Sequence, residues 1–324
     1  MIRSAIIGYG GIGKVHEKVI PHYGELVAVC DIREERLEKF GDLRTYTDYR
    51  KMLDEVSPDV VHICTPHYLH AEMVIEALSR DINVLCEKPL CIRKEDIGRI
   101  LEAEKRSKGK LGVCHQNRYN AANRFVKEYL KDKTVEAVNA SVTWHRDETY
   151  YAADAWRGKW DTEGGGVLIN QALHTLDLLQ WFMGTPDTVT ASVSNLTLKN
   201  KIEVEDTATI LCHGKAGGVF YATNGGNRDY PVELTIRADG EWIKIMPKYV
   251  VVGEEIHSFK TTEHTYGKAC YGSGHECLIA DFYDCVETGR SFPISGEEGA
   301  KVVRLILAAY KSGGAPISME EEYG

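Results

Sequence analysis

The stretch "VLCEKPL", Val84 to Leu90, sets an acid and a base, Glu87 and Lys88, between an apolar run and a proline. A lysine held there could donate to a hydroxyl or carbonyl oxygen and stabilise negative charge developing on it. A second chemical pattern is "GGGVLINQALHTLDLL", in which Asn170, His174 and Asp177 follow a triple glycine, Gly164 to Gly166. If a helix runs through it, the three polar residues share one stripe among leucines. Imidazole is the side chain whose ordinary pKa suits proton transfer near neutral pH, although a lone histidine in such a helix is more often a structural residue. A third pattern is Gly8-Tyr9-Gly10-Gly11-Ile12-Gly13, which fits G-x-G-x-x-G.

Such groups need elements to hold them. In the first third of the chain, short apolar runs ("RSAIIGYG", "ELVAVCD", "DVVHICT", "INVLCE", "KLGVCHQN") alternate with amphipathic stretches ("IGKVHEKVIPHY", "REERLEKF", "DYRKMLDEV", "HAEMVIEALSR", "KEDIGRILEAEKRS"). That alternation predicts βαβ units around a parallel sheet. After about residue 120 the pattern changes. A helix "ANRFVKEYLKD" precedes the alternating strands "VEAVNASVTWHR", "DTVTASVSNLTL", "DTATILCHG" and "GVFYATNGG", with a helix "VLINQALHTLDLLQWFMG" between the first two and two helices at the end. This predicts an α+β domain on a large, mostly antiparallel open sheet. The expected domains are residues 1–119 and 120–324, with the final helices able to pack back on the first.

The glycine motif falls where a first strand turns into a first helix. Gly8 can make the tight turn, Gly10 can admit a pyrophosphate, and Gly13 can let helix and strand pack closely. Asp31 ends the second strand, where a carboxylate accepts hydrogen bonds from the adenosine ribose and repels a 2′-phosphate. The expected cofactor is therefore NAD, held by Gly8, Tyr9, Gly10, Gly11, Ile12, Gly13 and Asp31. Arg33, two positions on, could pair with the phosphate of NADP, which keeps that cofactor open. Ligands of such Rossmann sheets lie beyond the strands' carboxyl ends. Thr65, Pro66, His70, Glu87 and Lys88, at two further strand ends, belong to the same expected site, with a Lys88–Pro89 bond that can be cis.

With 39 Lys plus Arg against 48 Asp plus Glu and no basic block, nucleic acid is an unsuitable partner. Neither a signal-like start nor a run long enough to span a bilayer is seen, and a soluble cytoplasmic protein is expected. Of the nine cysteines, Cys30, Cys64, Cys86, Cys114 and Cys212 lie in apolar strand-like runs and read as reduced core residues. Cys270, His275 and Cys277 cluster without a paired C-x-x-C, so no metal is expected.

The motifs "GYGGIGKVH", "CTPHYLHAEMVIEAL", "CEKPL", "QNRY", "GGGVLINQALHTLDLL" and the ending from "GHECLIADFYDCVETG" resemble the Gfo/Idh/MocA family of nicotinamide-dependent oxidoreductases over nearly the whole chain. The resemblance implies that Lys88 is catalytic, that His174 is the acid/base, and that the substrate is a sugar, sugar derivative or cyclic polyol. The chain departs from the family at Asn170, where many members carry an aspartate; asparagine can position a substrate but cannot titrate. Arg118, Tyr119, Trp156, Arg157 and His275 are the further candidates for substrate contact, although tryptophan is as readily a core residue. Relatives are commonly dimers or tetramers joined through the large sheet, which implies a homodimer or homotetramer. Two other functions share the cofactor: glycoside cleavage by transient oxidation, with Tyr150, Tyr151, Tyr266 or Tyr271 as extra acid or base, and a non-catalytic NAD and sugar sensor.

Overall fold

The computed structural model describes residues 1–259 and 274–323. The chain divides into two compact units: Met1–Tyr119 with Thr262–Ala300, and Asn120–Thr261 with Lys301–Gly324. Cys270, Tyr266 and Tyr271 lie outside the described residues.

The first unit is built on a six-stranded sheet of β1 (Ile2–Ile7), β2 (Gly24–Cys30), β3 (Arg44–Tyr46), β4 (Val60–Ile63), β5 (Asn83–Cys86) and β6 (Leu111–Val113). Its order is β3-β2-β1-β4-β5-β6 and every pairing is parallel. Strands buried on both faces need continuous apolar runs, and β4, "VVHI", is buried at every position. Helices α1 (Gly13–Val19), α2 (Tyr49–Val56), α3 (His70–Leu78) and α4 (Lys94–Arg106) alternate with them. Pro21 sits at the start of the 3-10 turn Ile20–His22 that follows α1. One expected helix is absent: "REERLEKF" forms two 3-10 turns, Glu34–Arg36 and Glu38–Phe40. Leu37 and Phe40, three residues apart, both pack on the cluster of Ile6, Tyr9 and Val29. A repeat of three suits 3-10 geometry better than the α-helix. Late in the chain, α8 (Gly274–Thr288) returns to this unit, and the division passes through α9 (Gly296–Ser312).

The second unit begins with α5 (Ala121–Tyr129), contains the short α6 (Glu148–Ala152) and α7 (Leu173–Met183), and ends with α10 (Met319–Tyr323). Its nine-stranded sheet has the order β14-β13-β12-β11-β7-β10-β9-β8-β15. The strands are β7 (Val135–Thr143), β8 (Thr188–Ser194), β9 (Thr207–His213), β10 (Gly217–Thr223), β11 (Glu233–Ala238), β12 (Glu241–Ile245), β13 (Tyr249–Val252), β14 (Glu255–Ser258) and β15 (Ile317–Ser318). All pairings are antiparallel except β7 with β10. Alternation gives one buried face, with Val138, Ile210, Phe220 and Ile236, packed by α7. The opposite face leaves Leu211, Val219, Tyr221 and Trp242 exposed.

Candidate active site

At the carboxyl end of β1 the chain must turn sharply. Gly8 has φ +91°, and a Cβ there would stand 2.8 Å from the Cys64 carbonyl; one on Gly13 would strike Gly8 O. These two glycines are required by the turn itself. Gly11 has nothing within 4 Å of such a Cβ, and Gly10 only the Arg36 guanidinium at 3.8 Å. The open space above Gly10 and Gly11 is what a pyrophosphate needs in order to approach the backbone, so the residues present fit a dinucleotide. Ile12 is half-buried against the Tyr9 cluster. The Tyr9 ring itself is buried and its hydroxyl donates to Glu17, so only the backbone of this residue borders the turn.

Asp31 is held by the Tyr9 N–H at 2.7 Å, the Arg33 N–H at 2.9 Å and Arg36 Nη1 at 3.1 Å. The cation bound to this carboxylate is thus Arg36, which no motif in the sequence marks, while Arg33 contributes its amide. We expect Asp31→Ala to raise KM for NAD about tenfold or more, the worth of a charged hydrogen bond, and to free Arg36 toward a 2′-phosphate. Steady-state kinetics with NAD and NADP would check this; an unchanged ratio of kcat/KM values would remove Asp31 from the ribose.

The ends of β4 and β5 meet through His70. Its Nδ1 lies 2.7 Å from Pro89 O and its Nε2 2.8 Å from Thr65 O. Fully buried, the ring lies between the Thr65–Pro66 turn and the Lys88–Pro89 turn, whose peptide bond is cis, and as a neutral imidazole it donates to one of the two carbonyls. The Lys88 N–H donates to Glu87 Oε2 at 3.2 Å, and the lysine itself is only partly buried.

Four of the expected substrate residues have partners or placements that the sequence did not indicate. His275 is buried in the first turn of α8, with Nε2 3.3 Å from Glu87 Oε1. The local sequence "GSGHE" carries no trace of this partner at the end of β5. Arg118 pairs with Glu298 at 2.8 Å and Tyr119 donates to Asp281 at 2.5 Å, so both brace α8 and α9 within the first unit. Asn170 is not on the helix of His174. The amides of Gly166 and Leu168 are taken by the Glu205 carboxylate at 2.8 and 3.0 Å, and Val167 N–H by Glu205 O, so residues 164–172 form turns and α7 starts only at Leu173.

Two of the three glycines before α7 are closely packed. Gly165 has φ +145° and packs on the Tyr310 ring, while Gly166 packs on Glu205 O. Burial pushes the Glu205 carboxyl up to about 7 against the pull of its donors, among them Tyr310 at 3.0 Å. A folded-state value above the ordinary 4.5 means that the folded protein holds this proton more tightly. That stability is fully present below about pH 4.5 and is lost as the pH rises through about 7, a swing of about 3 kcal/mol. Urea melts at pH 5 and pH 8 should show a smaller difference in Glu205→Gln than in the wild type; equal differences would refute the linkage.

Around Asn170 lies a polar cluster of second-unit residues. Asn170 Nδ2 donates to the buried Glu163 Oε1 at 2.5 Å, and Gln171 Nε2 to Tyr150 Oη at 3.0 Å. Arg157 also donates to that hydroxyl, with its guanidinium over the Tyr150 and Trp156 rings. Trp160 is partly exposed and edge-on to Tyr310. His174 and Asp177 are both buried on α7. Burial raises the Tyr150 and Tyr151 hydroxyls above the ordinary phenol range, so neither is a base near neutral pH.

Comparison with known proteins places this geometry. Residues 2–115 match an oxidoreductase family with an NAD-binding Rossmann fold, and residues 126–245 match the GFO/IDH/MocA C-terminal domain. The chain is 30% identical to the WlbA dehydrogenase of Bordetella pertussis, whose crystal structure holds NADH and UDP-GlcNAcA, with 98% of each chain covered and a TM-score of 0.83. It is 26% identical, over 96% of each chain, to the myo-inositol 2-dehydrogenase of Thermotoga maritima. A levoglucosan dehydrogenase solved with NADH and levoglucosan shares the fold at 20% identity, covering 98% of this chain and 99% of that one, with a TM-score of 0.86. The glycine turn, the acid at the end of β2 and the Glu-Lys-Pro turn at the end of β5 thus sit in a chain that belongs to the Gfo/Idh/MocA family of NAD-dependent oxidoreductases.

Proposed function

We propose that the protein reversibly oxidises a hydroxyl of a sugar, sugar derivative or cyclic polyol. The observation that carries this reading is Lys88, placed at the carboxyl end of β5 in a dinucleotide sheet with its N–H held by Glu87. Two relatives, a myo-inositol 2-dehydrogenase and a dehydrogenase crystallised with UDP-GlcNAcA, support the substrate class. When bound, NAD supplies the hydride acceptor at the nicotinamide C4. His174 takes the hydroxyl proton, Lys88 holds the oxygen as the C–O bond gains double-bond character, and Asn170, oriented by Glu163, positions the substrate. The carbon gives up its hydrogen as hydride, so a carbonyl, reduced cofactor and protonated His174 result.

The test is incubation with NAD and a panel of free sugars, uronates, nucleotide sugars, cyclic polyols and glycosides, following both nicotinamide absorbance and product mass. Stoichiometric reduction with a carbohydrate or polyol supports the reading. Reduction by non-carbohydrate alcohols alone would overturn it, as would glycoside cleavage with no net reduction.

We further infer a homo-oligomer, assembled on the sheet face that bears Val219, Tyr221 and Trp242. Trp242→Glu should lower the mass seen by light scattering, and an unchanged mass would exclude this face. A cytoplasmic location is supported by the free state of every described cysteine. No described helix is long and apolar enough to cross a membrane.

A further inference from the structure

A line of buried polar side chains runs from Glu87 into the body of the first unit. Glu87 Oε1 lies 3.0 Å from His16 Nε2, and His16 Nδ1 lies 2.7 Å from His62 Nδ1. His62 Nε2 is 2.8 Å from the Tyr283 hydroxyl, which is 2.5 Å from Ser4 Oγ. His275 stands on the other side of the carboxylate at 3.3 Å. All six residues are buried, and they come from β1, α1, β4, the end of β5 and α8.

The protons in this line have one consistent arrangement. Burial pushes the Glu87 carboxyl up, but hydrogen bonds from His16 and His275 outweigh it and hold the group well below the usual carboxylate range. Burial lowers His16 and His62, which are therefore neutral near pH 7. The thiols of Cys64, Cys86 and Cys114, which also feel Glu87, are pushed up by burial and stay protonated. A carboxylate only accepts, and a neutral imidazole has a single N–H. His16 must then donate from Nε2 and accept at Nδ1, so His62 must donate from Nδ1 and accept at Nε2. Tyr283 donates to His62 and accepts from Ser4. Every donor in the line points toward Glu87, and such aligned chains strengthen one another in a low dielectric.

The near end of the line is Lys88. Its N–H is held by Glu87 Oε2, and the next carbonyl, Pro89 O, lies beside His70. The ligand atoms of His16, Glu87 and His275 lie within 4.8 Å of one another, a spacing that a metal ion could also use. With the donors aligned in this way, the N–H of His16 fills that position instead.

We propose that Glu87, His16, His62 and Tyr283 are positioning residues for Lys88: the ordered donors beginning at Ser4 orient the Glu87 carboxylate, and the carboxylate orients the lysine. This rests on the role given to Lys88 above, and the experiment separates the two. Protein labelled with ¹⁵N-histidine should show His16 as the Nε2–H tautomer and His62 as the less common Nδ1–H tautomer. The opposite tautomers, an imidazolium at either ring, or stoichiometric zinc by elemental analysis would overturn the arrangement. In kinetics with the panel substrate of highest turnover, Glu87→Gln and Tyr283→Phe should each lower kcat about 10–100-fold, the cost of a small misplacement, and Tyr283→Phe, remote from the cofactor, should leave NADH affinity unchanged. Tyr283→Phe removes only a hydroxyl and guards against a variant that fails to fold. In a Lys88→Ala background neither change should lower kcat further; a persisting loss, or wild-type kcat in Glu87→Gln, would overturn the positioning role. Wild-type turnover in Lys88→Ala alone would refute the reading of Lys88 and the positioning role with it, while the tautomers would still be decided by the spectra.

Discussion

Lys88→Ala should lower kcat about 10²–10³-fold, the usual cost of removing one donor aimed at a developing oxyanion. The dissociation constant for NADH, read from nucleotide fluorescence, should stay close to that of the wild type. In the proposed mechanism glycine contacts and Asp31 set most of that affinity, and Lys88 acts on the substrate oxygen only as charge builds there. The conservative change Lys88→Arg should recover little, because a planar guanidinium does not reproduce a compact ammonium donor. A loss confined to KM would mean that the lysine binds ground state and transition state alike, and the assignment would fail.

His174→Ala should cost about 10²–10⁴ in kcat, the range for a positioned acid/base. His174 is buried near the start of α7, so its removal also leaves a ring-sized gap. Added imidazole is expected to restore part of the turnover by filling that gap with the missing base. His174→Gln, which fills the gap without a titrating nitrogen, should stay inactive and unresponsive to imidazole. Wild-type turnover in His174→Ala at saturating substrate would end this assignment.

The parts of the molecule that were legible in the sequence are those whose partners are local. β1, β4 and β5 are short, mostly apolar and almost wholly buried, and a strand buried on both faces can be written in few other ways. The glycine turn was legible because close packing and positive φ leave little choice at Gly8 and Gly13. β11 to β14 went unread although Asp239-Gly240, both at positive φ, mark the two-residue hairpin between β11 and β12. Their exposed face mixes Glu233, Arg237, Trp242 and Lys244, which blurred the alternation.

The misreadings at the site share one cause. Asn170 keeps helical spacing to His174 in sequence, but Glu205 claims the amides before it. Arg36, Glu163, Glu205, His16 and His62 each act on a residue distant in sequence or across a turn, so no local pattern announces them. One weak signal existed: His62 interrupts "VVHI", and a polar ring inside a fully buried strand requires a partner.

The place of β7 in its sheet has a consequence for how the second unit comes into being. It is the first strand of that sheet in the chain, yet both its edges are filled from far downstream: Ala137 pairs with Gly217 on one side and with Arg237 on the other. The groups β8-β9-β10 and β11-β12-β13-β14 can zip as neighbouring hairpins, but they become one sheet only when β7 enters between them. On a ribosome β7 emerges before the rest of its sheet and must wait, both its edges unpaired, until both groups have been made. Closure of such long loops is slow, and an unpaired strand in the interval is exposed to aggregation. The step that joins the sheet is therefore also the step at which the nascent chain most needs protection.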